Sequence, residues 1–256
     1  MIVAAAIAPH GTPAFEPGPT RDALEEVRRR FERAAPDAIV VVTPHNVHVD
    51  GHFAVVTAAK VAGDLAQWEH PEISLEREVD RELAREILAR LSPAVGVSYG
   101  GNDPAEAVMP LDWGVLIPLS FLPELPVVVV SPARDLSLED HVRAGEALAG
   151  APARFGLVAS ADHGHAHDPD GPYGFDPASA EYDERVVELV RENRLRDLLE
   201  LEELAGRGKA DSLWQMLVLH GALGTGWCAE LLSYEAPTYF GMLVAAFSRS
   251  RDGATG

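Results

Sequence analysis

Residues 38–48 read AIVVVTPHNVH. The run over 38–43 is apolar and β-branched, which predicts a strand buried on both faces rather than an amphipathic one. It ends in a turn that carries His45 and His48. The same design occurs twice more: IVAAAIAPH over 2–10 closes on His10, and FGLVASADHGHAH over 155–167 closes on His163, His165 and His167. In an open α/β sheet, side chains just past the carboxyl ends of parallel strands converge on one crevice. Six of the ten histidines therefore have a geometric reason to gather. Neutral imidazole is both a metal ligand and a proton carrier near neutral pH, so the pattern points to a metal-dependent enzyme.

Working outward, strands alternate with helices. Strands are expected over 2–8, 38–43, 53–57, 95–99, 126–131, 155–160 and 238–247, with helices over 22–34, 75–91, 138–148, 178–191, 195–205 and 211–223. Thr20 is the expected cap of the first helix. This alternation predicts an α/β fold, a single domain over 1–250 with a mostly parallel central sheet flanked by helices. Residues 251–256 read as a disordered tail. The segment between 100 and 125 reads as a long irregular stretch, and such stretches within compact domains are usually functional or well packed.

The 256 residues carry a net charge of −19, with 47% hydrophobic residues. That much apolar content supports a sizeable core. The excess acid sits in helix-like stretches such as DALEEVRRRFE and reads as a solvated face. It argues against nucleic acid and anionic membranes as partners, since both repel it. No apolar run reaches the length of about 18 residues that a membrane span needs, and the start of the chain lacks the basic region of a secretory signal. The chain reads as soluble and cytoplasmic. The single cysteine, Cys228 in GWCAELL, reads as a buried thiol in a reducing compartment.

Each histidine also has a plainer role open to it. His10 could cap its strand. His48, His52 and His70 suit the surface, His167 suits a solvated loop, and His141 and His220 lie inside helices. GALGTG near Gly221 follows a helix instead of opening one, so it is no phosphate loop. Two histidines seldom make a stable metal site, and a carboxylate or third imidazole is needed.

With these residues in view, the chain resembles the class III extradiol dioxygenase superfamily, the group related to the catalytic subunit of protocatechuate 4,5-dioxygenase. PHGTP, PDAIVVVTPHNVHVDGHFAV, VSYGGNDPAEAVMPLDWGVLIPLSFL, VASADHGH and DSLWQMLVLHGALG carry the likeness, in family order and over nearly the whole length. The resemblance implies that His10 and His45 are metal ligands and that His165 is the catalytic acid/base, with His163 beside it as a second catalytic candidate. It implies non-haem Fe(II), with zinc or another divalent metal as the alternative, and a small aromatic substrate plus O₂. The activity implied is extradiol cleavage in aromatic compound catabolism, by a homo-oligomer.

Two departures stand out. Trp113 follows Asp112 where the family often has a second catalytic histidine, and a tryptophan neither shuttles a proton nor ligates metal. At the third-ligand position the ungapped match falls on Ser212, with Asp211 adjacent. Neighbours on a helix point about 100° apart, so one cannot simply replace the other. Asp211 is taken as the third metal ligand, with Ser212, His163 or no third ligand left open, and Asp211 has a competing role as a helix N-cap. These departures leave two other functions open: a Memo-like metal-binding or interaction protein, and a non-catalytic partner subunit. The substrate pocket is expected to draw on 100–121 and 168–176.

Overall fold

A computed structural model describes residues 1–99, 103 and 105–250. The expected tail at 251–256 and residues 100–102 and 104 of the expected pocket stretch lie outside the described residues. In chain order the elements are β1 (Ile2–Ala8), α1 (Pro19–Ala34), β2 (Ala38–Val42), β3 (Phe53–Val56), β4 (Lys60–Leu65), β5 (His70–Glu78), α2 (Arg81–Arg90), β6 (Ala94–Val97), β7 (Val108–Pro110), α3 (Trp113–Ser120), β8 (Val127–Ser131), α4 (Leu138–Ala149), β9 (Phe155–Ser160), α5 (Pro177–Arg191), α6 (Glu202–Arg207), α7 (Leu213–Leu223), β10 (Trp227–Glu235) and β11 (Met242–Arg249).

The main sheet has eight strands in the order β10-β11-β1-β9-β2-β8-β3-β6. Its centre, β1-β9-β2-β8, is parallel throughout. Every residue of β2, β8 and β9 is buried, as expected for strands covered on both faces. Antiparallel pairs join β10 to β11, β11 to β1 and β3 to β8, so the sheet is mixed, with its parallel character confined mostly to the core. Because the four central strands run the same way, the turns after Ala8, Val42, Ser131 and Ser160 open on one edge of the sheet. A second sheet, β5-β4-β7, contains three strands.

Helices α4 and α7 pack in close contact. A β-carbon on Gly145 would come within 2.0 Å of the Val218 carbonyl oxygen, and one on Gly221 within 2.0 Å of the Val142 carbonyl oxygen. Any side chain at either position would push α7 away, and α7 begins two residues after Asp211.

Several boundaries differ from the sequence reading. The helix expected over 75–91 begins at Arg81, where the Asp80 carboxylate accepts the Leu83 N–H at 3.0 Å. The residues before it form β5, paired antiparallel to β4. The irregular stretch contains β7 and α3. The first helix starts at Pro19, so Thr20 lies inside it and donates its hydroxyl to Glu235 instead of capping. Cys228 is exposed, not buried. It lies on β10, at the edge of the sheet, where alternation turns Trp227 inward and Cys228 outward.

Candidate metal centre

His10 follows the end of β1 by two residues, and Asp162 follows the end of β9 by two. Since Ala8 pairs with Ser160 in the parallel register, the two arrive side by side. The Asp162 carboxylate accepts the His10 backbone N–H at 2.9 Å, and its other oxygen lies 3.5 Å from His10 Nε2. His45 leaves β2, between β9 and β8, and its ring meets that of His10 edge-on with centroids 4.9 Å apart. Asp211 enters from the turn before α7. Its Oδ2 lies 3.3 Å from Nε2 of both histidines. One ligand atom from each of His10, His45 and Asp211 falls within 4.8 Å of the others.

The surrounding bonds decide which atoms face this centre. Ser160 Oγ donates its only hydrogen to the Gly114 carbonyl, so toward His10 Nδ1, 2.9 Å away, it can only accept. The neutral His10 ring therefore carries its proton on Nδ1 and offers the Nε2 lone pair, as when a metal replaces the second proton. Asp211 Oδ1 accepts the Asp162 backbone N–H at 3.2 Å, which turns Oδ2 toward the histidines. Gln215, one turn into α7, donates to both the Asp211 and Ser160 carbonyls and ties the two walls together.

The charge state of the metal-free cluster is set by competition. Burial opposes charge on His10, but Asp162 and then Asp211 outweigh it and hold the imidazole up at about 9. Burial likewise opposes ionisation of Asp211, yet the charge on His10 and hydrogen bonds from His10 and His45 keep it well below the usual carboxylate range. Asp162 is pushed upward, by burial first and by the Asp211 carboxylate, against the pull of His10. An imidazolium held between two buried carboxylates marks where a cation would sit.

The structure settles where the other sequence candidates lie. Ser212 is fully buried, and its hydroxyl is 2.9 Å from the Tyr182 hydroxyl, away from the centre. Asp211 does not cap α7: the helix starts at Leu213, and the Asp211 carboxylate is engaged by Asp162 instead. His165 lines the same cleft as His10 and His45. Its Nδ1 lies 2.6 Å from the His163 carbonyl, to which it can only donate, so Nε2 is left as the acceptor. Phe240 stacks on its ring, with centroids 5.5 Å apart.

His163 is not brought to the cleft. It is fully buried, and neither ring nitrogen has a partner among the described residues. His167 is held by the buried Asp183 at 2.8 Å rather than solvated. Asp183 also accepts the Gly164 N–H and the Tyr234 hydroxyl, which fixes the loop presenting His165. His48 is exposed beside Asp50, and His141 is buried inside α4 as expected.

His163 carries a pH prediction. Burial pushes its imidazole down to about 4, against an ordinary value near 6.5. Between those values the unfolded chain binds a proton that the folded chain does not. Stability is therefore lost as the pH falls from about 6.5 to about 4, by about 3 kcal/mol at full extent. Urea unfolding at pH 7 and pH 4.5 should show a smaller acid loss for His163→Leu than for the wild type, and equal losses would refute the assignment.

The cleft itself has a volume of about 810 Å³. Trp68, Trp113, Tyr173, Tyr239 and Phe240 contribute aromatic walls. Trp113 packs between His45, at 4.6 Å, and Trp68, at 5.0 Å. Both expected pocket stretches contribute, through Trp113 and Ile117 and through Tyr173. Asp162 is the site residue that motif reading missed. The available signal was its offset of two from the end of β9, matching that of His10 from β1.

Two imidazoles and a carboxylate converging past the ends of parallel strands define an α/β protein with a centre that could hold a divalent metal. The chain matches the family described as the catalytic LigB subunit of aromatic ring-opening dioxygenase over residues 5–245, and it belongs to that family. Protein CA_C1420 of Clostridium acetobutylicum is 22% identical over 252 residues, covering 90% of this chain and 52% of that protein. The chain thus spans about half the length of this curated relative. The crystal structure of the uncharacterized protein JW3007 from Escherichia coli K12 shares the fold, with a TM-score of 0.65, 18% identity, and coverage of 95% of this chain and 99% of that one. Among the described residues no helix is long and apolar enough to cross a membrane.

Proposed function

We propose that this protein is an extradiol-type dioxygenase that opens a catechol-like or aminophenol-like ring with non-haem Fe(II) and O₂. The observation that carries this reading is the convergence of His10, His45 and Asp211 in an aromatic-walled cleft that also contains His165. Two histidines and one carboxylate with open positions suit non-haem Fe(II), and the freed Nε2 of His10 fits a metal in that place. The same donors also suit zinc.

In this reading His10 Nε2, His45 Nε2 and Asp211 Oδ2 hold the ion. Bound iron would supply Lewis acidity toward the substrate hydroxyl and the redox capacity that O₂ chemistry requires. The aromatic walls stack the ring and exclude water from its edges. His165 takes the hydroxyl proton on Nε2, since its Nδ1–H is committed to the His163 carbonyl. It then holds that proton ready to return to an oxygen of the product as the ring opens.

The test is anaerobic loading with Fe(II) followed by O₂ uptake against a panel of catechols and aminophenols. Uptake with ring-opened product supports the reading, and no uptake with any substrate despite bound iron overturns it. Trp113 favours a second reading. It fills the place of a proton-carrying histidine with an indole packed on His45, which suits a Memo-like metal-binding or interaction protein or a non-catalytic partner subunit. The same silent iron-loaded protein would be the outcome expected of it.

Gly114 tests the geometry apart from the ligands. A β-carbon there would lie 2.7 Å from Thr43 Oγ1 and 2.9 Å from His45 Cβ, so α3 or the His45 turn must move. Gly114→Ala is expected to cost about 1–3 kcal/mol of stability. It should weaken metal binding by about 10-fold, as loss of support around a ligand does. Metal titration alongside thermal unfolding measures both.

A further inference from the structure

We infer that Asp112 and Asn46 are positioning residues of the metal centre, which together lock the turn that presents His45. The inference rests on the metal-binding part of the proposed function alone. It holds whether or not the protein opens a ring.

The three donors are oriented by different means. His10 is fixed through its ring by Ser160, and Asp211 through its Oδ1 by the Asp162 N–H. The His45 side chain is 25% exposed, against 2% for His10 and 9% for Asp211. Among the described residues the one polar contact of its ring runs from Nε2 to Asp211, so no bond on Nδ1 sets its orientation, the usual device for a metal-ligating histidine. Its direction must come from the backbone beneath it and from the Trp113 indole beside it.

That backbone is unusual. The Val47 N–H reaches back to the His45 carbonyl at 3.0 Å across Asn46, whose φ is 75°. A three-residue turn closed over a positive φ is the rare, strained form of its class. Asparagine tolerates a positive φ better than most residues, and such strain persists where the surroundings over-determine it. Here the surroundings are side chains from three places in the fold. Thr43, one residue past β2, accepts the His45 N–H at 3.2 Å. Ser131, the last residue of β8, donates its hydroxyl to the His45 carbonyl at 2.7 Å. Asp112 Oδ2 accepts the Asn46 N–H, and the Asn46 side-chain oxygen accepts the Asp112 N–H at 3.3 Å. That last exchange is reciprocal and ties the two residues together from both sides.

Asp112 forgoes a common task to do this. It occupies the N-cap position of α3 with extended backbone, where an aspartate ordinarily accepts an N–H of the first turn, yet its carboxylate makes no capping bond. The two residues after it act on the same centre. Trp113 packs against the His45 ring, and the Gly114 carbonyl accepts the Ser160 hydroxyl that sets the His10 tautomer. Residues 112–114 thus reach both histidines, and Asp112 holds the turn of His45.

Co(II) binding to the metal-free full chain tests this role. Chelator competition gives the affinity, and the visible absorption of bound Co(II) reports its coordination geometry. Asp112→Ala should weaken binding by about 10–100-fold, the usual effect of losing support around a ligand, and change the spectrum. Asp112→Asn keeps an acceptor for the Asn46 N–H and removes the charge, so it should stay within a few-fold of the wild type and keep its spectrum. Asp112→Ser, a good helix cap that is too short to reach Asn46, should behave as the alanine variant does. Asn46→Gly suits the left-handed backbone but loses the oxygen that takes the Asp112 N–H, so it should fold and bind about 3–10-fold more weakly. That variant decides the matter if Asp112→Ala does not fold. Wild-type affinity and spectrum in Asp112→Ala or in Asn46→Gly would overturn the role, as would rescue by serine. Equal losses in the asparagine and alanine variants would show that Asp112 acts through charge, and would overturn it too. Failure of the parent reading looks different: a wild type that binds no Co(II) removes the metal centre, and the positioning role with it.

Discussion

His10→Ala is expected to leave the protein unable to retain a divalent metal, with stoichiometry falling from about one ion per chain to near zero. His10 supplies one of three donors, and its Nε2 is the one whose lone pair is set by a defined chain, from Gly114 through Ser160 to Nδ1. Nothing nearby replaces it. Asp162 Oδ1 stays on the residue-10 backbone N–H in the variant, and Asp162 stands outside the set of mutually close donors that His45 and Asp211 share. The two remaining donors, His45 and Asp211, are too few for a stable site.

A second effect follows in the metal-free state. Asp162 and Asp211 would lose the imidazolium that offsets their buried charge, so the variant should also unfold more readily, by about 3–5 kcal/mol if both stayed ionised. Asp211→Asn separates the two effects. Its amide oxygen can still accept the Asp162 N–H, while the anionic donor is gone, so metal should be lost with the fold kept. Elemental analysis after dialysis, run beside thermal unfolding, measures both. Full metal stoichiometry in His10→Ala and Asp211→Asn alike would overturn the site.

The histidine turns were legible because a fully apolar strand followed by Pro-His leaves little freedom. Parallel neighbours in a sheet must deliver such residues to one edge, and β1, β9 and β2 do so. Asp211 was legible only as the first of several candidates. It lies between α6 and α7, where the choice between Asp211 and Ser212 depends on where α7 starts. That start is held by tertiary contacts, Gln215 to the Ser160 carbonyl and Ser212 to Tyr182, which no spacing encodes. Asp162 was hidden for another reason: its partner is a backbone N–H 152 residues away. The parallel register could have exposed it, once β1 and β9 were taken as neighbours. The misread parts of the fold lie away from the core. In β5 the stretch from Leu75 onward was read as the start of the helical period over 75–91, and β10 has the mixed pattern of an edge strand. Short mixed segments take their state from pairing partners more than from their own sequence.

His165→Ala is expected to keep the metal and lose turnover, by about 10²–10⁴-fold in kcat, the range for removing a positioned acid/base. The separation is the point of the experiment. His165 lies in the cleft but outside the His10–His45–Asp211 cluster, so deleting its ring removes no donor. Its loop should survive, because the backbone there is fixed independently of the side chain. The His165 N–H bonds the Gly208 carbonyl at 2.8 Å, His163 and Gly241 are linked through their backbones, and Asp183 holds Gly164 and His167. With Trp113 in place of a second proton carrier, His165 is the one cleft histidine outside the metal-ligand set among the described residues, so the loss should fall at the large end of that range. His165→Gln refines the test. It can still donate a hydrogen bond into the cleft but cannot carry a proton, so substrate affinity should survive in it while turnover does not. Turnover within a few-fold of wild type in both variants would remove His165 from the mechanism.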